Sequence, residues 1–281
     1  MSSTPLVSTD WLADHLTSPD LVVVDGSWYL PQMGRDAEEE YQQGHIPGAV
    51  RFDIDAISDP SSGLPHTLPQ PHVFASKVRK LGIGDGQTIV VYDGIGFFSA
   101  PRVWWMFKIM GVKEVYVLDG GMKKWRAENR ALEEGDVLRP ERHFTARMDN
   151  GLLADIDDIR RFSADGSSQI LDARPADRFT GEAAEPRAGM RSGHMPGAYN
   201  RPFMTLMNED GTLKSQSELK ELFKASGLDL SQPVTTTCGS GVTAAVLTLG
   251  LEIAGARDLR LYDGSWSEWG GRDDTKVVTG S

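Results

Sequence analysis

Cys238-Gly239-Ser240-Gly241-Val242-Thr243 is the stretch from which the rest of the chain can be read. Before it stands Pro233-Val-Thr-Thr-Thr237, a β-branched run that reads as a buried strand. After it comes Ala244-Ala-Val-Leu-Thr-Leu-Gly-Leu-Glu-Ile-Ala254, which reads as a buried helix ending at Gly255. The only cysteine of the protein therefore sits on a strand-to-helix turn. Two glycines let the backbone curl so that several N–H groups point at one spot, and the helix presents its positive end there. A thiol so placed should ionise more readily than a free one, and the thiolate is the reactive form. A lone cysteine is more often buried structure. A core cysteine, however, gains nothing from a Gly-x-Gly turn, which favours a nucleophile.

Working outward, the chain repeats itself. Leu21-Val-Val-Val-Asp25 reads as a strand ending in an acid, and Ile170-Leu-Asp172 matches it. Gly44-His45-Ile46-Pro47-Gly48-Ala49 returns as Gly193-His194-Met195-Pro196-Gly197-Ala198, 149 residues later. Thr88-Ile-Val-Val-Tyr-Asp93 and its turn match the Cys238 strand and turn at an offset of 145. Asp119-Gly120 and Trp125 match Asp263-Gly264 and Trp269 at 144. Four ordered matches at nearly constant offset point to a duplicated domain of about 130 residues. The period is far longer than that of a solenoid. Short buried strands alternate with helices in each half, as at Ser8–Leu16, Phe74–Leu81 and Ala100–Met110. The expected fold is thus α/β, two tandem domains, each a parallel sheet flanked by helices on both faces. The boundaries read as 1–135, a linker at 136–152, and 153–281. Glu133–Asp136 and Arg139–His143 look like exposed connector.

The halves are not equivalent. Where the second has Cys238 the first has Asp93, with Phe97 and Phe98 in its turn. Aspartate cannot do thiol chemistry, so the first domain reads as a wall for the second. His45 and His194, Asp25 and Asp172, and Trp125 and Trp269 occur in both halves and read as structural for that reason.

Composition bounds the function. At 281 residues the chain can bury full cores. A net charge of −11 argues against nucleic acid. No apolar run approaches a membrane span, so no membrane partner is expected. The start lacks a secretory or transit pattern, and one cysteine suits a reducing compartment, so the expected location is the cytoplasm. Six scattered histidines lack helical i, i+4 spacing, so no metal site is expected.

The paired units, the Gly-His-x-Pro-Gly-Ala motif in each, the cysteine loop in the second only, and Asp-Gly-x-x-x-x-Trp closing each resemble the tandem rhodanese sulfurtransferases. The resemblance covers nearly the whole chain. The loop is similar to that of the 3-mercaptopyruvate sulfurtransferases. Thiosulfate sulfurtransferases typically carry basic residues where this chain has Gly239 and Ser240. The resemblance implies that the Cys238 thiolate takes sulfur from 3-mercaptopyruvate, releases pyruvate and holds a persulfide. A thiol such as thioredoxin or a small dithiol, or cyanide, then takes the outer sulfur. No cofactor is implied. The backbone of Gly239, Gly241, Val242 and Thr243 would stabilise the anionic sulfur.

The resemblance further implies that Arg178 and Arg187, nine residues apart, hold the donor carboxylate. On the residues alone both read as surface loop arginines. Arg191 has no assigned role, and Lys and Arg elsewhere look like ordinary surface. The triad implied by the family falls on Ser240, His66 and Asp55. Without it, His66 reads as a loop histidine between prolines, Asp55 as a turn acid, and Ser240 as a loop hydroxyl. Other readings are a thiosulfate:cyanide sulfurtransferase and a non-enzymatic persulfide carrier. A cysteine-loop phosphatase is disfavoured because its loop ends in Arg where Thr243 stands. A redox sensor is disfavoured because Cys238 has no partner cysteine.

Overall fold

In the computed structural model, which describes residues 4–280, the chain divides into two compact units. The first comprises Met1–Asp59, Leu68–Asp149 and Asn208–Leu213. The second comprises Pro60–Thr67, Asn150–Met207 and Lys214–Ser281. Two short segments thus belong to the unit opposite the one that flanks them in sequence.

In the first unit the order is β1 (Leu6–Val7), α1 (Thr9–His15), β2 (Leu21–Asp25), α2 (Ala37–Gln43) and β3 (Val50–Arg51). Then come α3 (Pro71–Lys80), β4 (Thr88–Tyr92), α4 (Ala100–Ile109), β5 (Val115–Leu118) and α5 (Gly121–Ala127). The second has β6 (Leu153–Ala154), α6 (Ile156–Asp165), β7 (Gln169–Asp172), α7 (Ala176–Thr180) and β8 (Tyr199–Asn200). It continues with α8 (Gln216–Ala225), β9 (Val234–Thr237), α9 (Ala244–Ala254), β10 (Leu259–Tyr262) and α10 (Ser265–Trp269). The strand orders are β1-β5-β4-β2-β3 and β6-β10-β9-β7-β8, and every pairing is parallel. The second order is the first with five added to each number, as a duplication requires.

The sheets form because their strands can be buried on both faces. Leu21 and Val23 of β2 join Val90 and Tyr92 of β4 in a core with Leu12 of α1 and Trp125 of α5. The alternate residues Val22, Val24, Ile89 and Val91 are buried as well, so the opposite face is also covered. Each such valine or isoleucine contributes about 2 kcal/mol. In the second unit Ile170 and Tyr262 pack with Ile159, Phe162, Trp266 and Trp269. Ser8 caps α1, accepting the Trp11 N–H at 3.1 Å. Helix α9 ends at Gly255, whose φ of +97° is available mainly to glycine.

Helix α2 is started by the Asp36 carboxylate, which accepts the N–H groups of Glu38 and Glu39. Two expectations need correction. The connector after residue 131 is mostly exposed but not loose. Phe144 is buried among Phe74 and Phe107, and Arg147 and Asp149 donate N–H bonds to Met110 and Ile109. Nor are the remaining arginines all surface: Arg102 and Arg174 are buried. Among the described residues no helix is long and apolar enough to cross a membrane.

Candidate active site

The Cys238 loop joins β9 to the N-terminus of α9. Open parallel sheets present their ligand sites at this carboxyl end of the strands. Cys238 is buried, and Gly241 donates its N–H to Sγ at 3.1 Å. Gly241 has a φ of +81°, so the turn that aims this N–H at sulfur requires glycine. The helix adds its positive end. Val242 is buried and Thr243 half-buried.

The loop is braced from α10. The carbonyl of Cys238 accepts the Trp266 N–H at 2.9 Å. That of Gly239 accepts the N–H and the hydroxyl of Ser267 at 2.9 and 2.6 Å. The Cys238 N–H donates to Ser265 Oγ at 3.3 Å, and that hydroxyl donates to the Tyr262 carbonyl at 2.9 Å. Ser265 is fully buried with a φ of +50°, a left-handed conformation that costs a non-glycine residue about 1 kcal/mol.

Two guanidinium groups flank Gly239. A side chain begun there would start 3.5 Å from Arg178 Nη2 and 3.7 Å from Arg187 Nη1. Arg178 is held by Glu185, with Nε 3.2 Å from Oε1 and Nη2 on Oε2. Glu185 is itself fixed by Arg174, at 2.7 Å. Arg174 also forms a two-pronged pair with Asp172 (Nη2–Oδ2 2.6 Å), donates to the Gly193 carbonyl, and lies 4.1 Å over the Trp266 ring. A buried guanidinium with two carboxylates and a carbonyl is well compensated. Arg187 is half-buried and forms no ion pair among the described residues. Arg191, left unassigned from the sequence, binds the carbonyls of Trp269, Gly270, Arg272 and Thr275 and so clamps the C-terminal segment.

His66 lies in the Pro60–Thr67 segment that belongs to the second unit. It is buried, has a φ of +61°, and its Nδ1 is 2.9 Å from Ser240 Oγ. That φ lies in the left-handed region, which a residue with a side chain enters at a cost of about 1 kcal/mol. Asp55 belongs to the first unit, is exposed, and accepts the Trp28 indole N–H at 2.9 Å.

The residues shared by both halves make matching bonds. His45 Nδ1 meets the Tyr41 carbonyl at 2.9 Å and stacks on Tyr41. His194 Nδ1 meets the Phe179 carbonyl at 2.8 Å and stacks on Phe179. Trp125 and Trp269 each donate an indole N–H to a carbonyl at 2.9 Å. In the first loop the Asp93 side chain fills the place of the thiol. Its Oδ1 accepts N–H bonds from Ile95 and Gly96, and its Oδ2 from Phe98, Ser99 and Ala100, all between 2.6 and 2.9 Å.

Sequence reasoning missed Arg174, Glu185, Ser265 and Ser267. Ser265 was legible in principle: it aligns with Gly121, which has a φ of +53°. A serine where the repeat has glycine marks a position keeping a hydroxyl despite its backbone.

The geometry agrees with what the chain is similar to. The Rhodanese-like domain family matches residues 8–128 and 155–272. The 3-mercaptopyruvate sulfurtransferase of Escherichia coli (strain K12) is 45% identical over 278 residues, 99% of each chain. The thiosulfate sulfurtransferase of Gallus gallus is 41% identical over 94% of this chain and 92% of its own. The crystal structure of SseA from Escherichia coli, described with the rhodanese fold of 3-mercaptopyruvate sulfotransferases, superposes with a TM-score of 0.87. It is 43% identical and covers 95% of this chain and all of its own.

Proposed function

Because the chain belongs to the rhodanese family and is a sulfurtransferase, we propose that it moves sulfur from 3-mercaptopyruvate through a persulfide on Cys238. The catalytic unit is 153–281 with the His66 segment, 1–135 is non-catalytic, and 136–152 links them. In the first half-reaction the Cys238 thiolate attacks the donor sulfur. The Sγ–S bond forms, the carbon–sulfur bond breaks, and its electron pair leaves on pyruvate enolate, which takes a proton. In the second, an acceptor thiolate attacks the outer sulfur and Cys238 leaves as thiolate. A dithiol, a thioredoxin-like protein or cyanide would serve as acceptor. The lone free cysteine suits the reducing cytoplasm.

Gly241 N–H, and the loop through Gly239, Val242 and Thr243, stabilise anionic sulfur. Arg187 takes the donor carboxylate, with Arg178 beside it. Ser240, polarised by His66, passes a proton to the enolate. The observation that carries this reading is the buried Sγ held by Gly241 with two guanidinium groups over the neighbouring glycine and none within the loop. A neutral loop with cations at a distance suits a donor whose one carboxylate is remote from its sulfur. Thiosulfate, a compact dianion, would gain more from cations beside the cysteine.

The test is kcat/KM for 3-mercaptopyruvate and thiosulfate side by side, with a dithiol or cyanide as acceptor. A preference for mercaptopyruvate of about 100-fold, roughly 2.7 kcal/mol of transition-state discrimination, is expected. A preference for thiosulfate would keep Cys238 and overturn the donor assignment.

A further inference from the structure

We propose that the first unit carries a binding site for a small oxyanion, separate from the cysteine loop and without chemistry of its own. Beyond the carboxyl ends of β2 and β4 lies a cavity of about 530 Å³, within the range that holds small ligands. Tyr29, Arg35, Glu40, Met122, Lys123 and Arg126 help line it.

Charge is what distinguishes this cavity. Arg35 is neutralised by Glu40, with bonds of 2.6 and 2.7 Å, and the Tyr29 hydroxyl closes that cluster. Among the described residues Lys123 and Arg126 form no ion pair, although the Glu40 charge acts on Arg126 across the cavity. Lys123 Nζ donates to the Glu209 carbonyl at 2.6 Å and Arg126 Nη2 to the Gly44 carbonyl at 2.9 Å. Carbonyl oxygens accept the bonds but cancel no charge. Asp25, which also lines the cavity, has its carboxyl pushed up by burial and accepts the Ser27 N–H at 2.8 Å. Three cations, Arg35, Lys123 and Arg126, therefore share one cavity with the Glu40 carboxylate and buried Asp25, an excess of positive charge in a chain whose net charge is −11. Such cations would gain from an anion.

The placement repeats that of the second unit. Gly94 aligns with Gly239, and a side chain begun at Gly94 would start 3.2 Å from Arg35 Nη2, as one at Gly239 would start 3.5 Å from Arg178 Nη2. A guanidinium lies near the first glycine of both loops, although at Gly94 the Tyr29 hydroxyl stands closer still. The difference is that the Asp93 carboxylate already occupies the N–H groups of its loop. A ligand there is held by side chains alone and meets no nucleophile. This inference stands on the first unit and does not depend on the donor assigned to the second.

Met122, which lines the cavity, provides the local probe. The full chain carrying C238S and ¹³C-methyl methionine is titrated with pyruvate, thiosulfate or inorganic sulfate, at constant ionic strength set with chloride. The Met122 methyl resonance, assigned with M122L, is expected to shift saturably. The midpoint should weaken at least about tenfold in K123E and in R126E, both substitutions of exposed residues, and stay unchanged in R178A/R187A. Saturation by pyruvate alone supports a carboxylate site, and saturation by all three supports a general oxyanion site. No saturable shift with any anion, or a shift that survives both charge reversals, would overturn the proposal. A shift lost only in R178A/R187A would also overturn it, without touching the donor assignment.

Discussion

The Asp93 and Cys238 loops end equivalent strands, β4 and β9, of the two sheets, yet their first side chains use the loop N–H groups in opposite ways. Five N–H groups converge on the Asp93 carboxylate, which is fully buried and flanked by Phe97 and Phe98. Among the described residues one N–H, that of Gly241, reaches Cys238 Sγ. The turn can evidently supply an anion cradle in both units. In the first, a carboxylate fills it permanently and the loop becomes a stabilising knot. In the second, on the mechanism proposed above, the thiol is short enough to leave the cradle open for a sulfur that arrives and departs. The backbone sets what charge the loop prefers; the side chain at its first position decides whether that preference stabilises the fold or, as proposed for Cys238, serves a reaction.

The largest way to break the contrast is C238S. A hydroxyl cannot form a persulfide, so sulfur transfer should fall about 10⁴-fold or more in a steady-state assay. Retained turnover would remove Cys238 from the mechanism. The matching change in the first unit is D93N. It exchanges one acceptor oxygen for an NH₂ facing N–H groups and should cost about 3 kcal/mol in chemical denaturation, with kcat nearly unchanged in folded protein. A large kcat loss with full stability would mean that the first loop does more than hold its unit together.

R187A sharpens the comparison at the donor. Loss of a forked carboxylate contact should raise KM for mercaptopyruvate about tenfold or more with kcat little altered; an unchanged KM would take Arg187 out of the site. The smallest effect belongs to Ser265, the counterpart of Gly121. S265A and S265G should lose the same several-fold in kcat, since both lack the hydroxyl that holds the Cys238 N–H. S265G should be the more stable of the two by about 1 kcal/mol, because glycine relieves the positive φ. Equal stabilities would show that the serine backbone is unstrained.

Much of this was legible in the sequence because it is local. The strand at Leu21–Asp25, the helix at Ala244–Ala254 and its stop at Gly255 follow from apolar runs and glycine punctuation. The repeat made the parallel sheets and the inert first loop readable together. What stayed hidden is long-range charge. Nothing near Arg174 in the sequence says that it will bury itself between Asp172, Glu185 and the Trp266 ring, and loop arginines are ordinarily exposed. The His66–Ser240 contact joins residues 174 apart, so only the family resemblance brought them to one list. Helix α2 was obscured because its polar residues mask its short apolar face, leaving Tyr41 as its one buried side chain.

The assignment of Pro60–Thr67 to the second unit and Asn208–Leu213 to the first has a consequence for modularity. Asp119 accepts the Leu213 N–H at 2.9 Å, so the latter segment is bonded into its adopted unit, as His66 is into the other through Ser240. A gene cut anywhere in the connector would yield a second half lacking its imidazole and a first half lacking a strip of its own surface. A duplication that began as two copies of one domain has become a single heritable object: each copy now encodes a part of the other, and neither can be lost, shuffled or transplanted alone without leaving both incomplete.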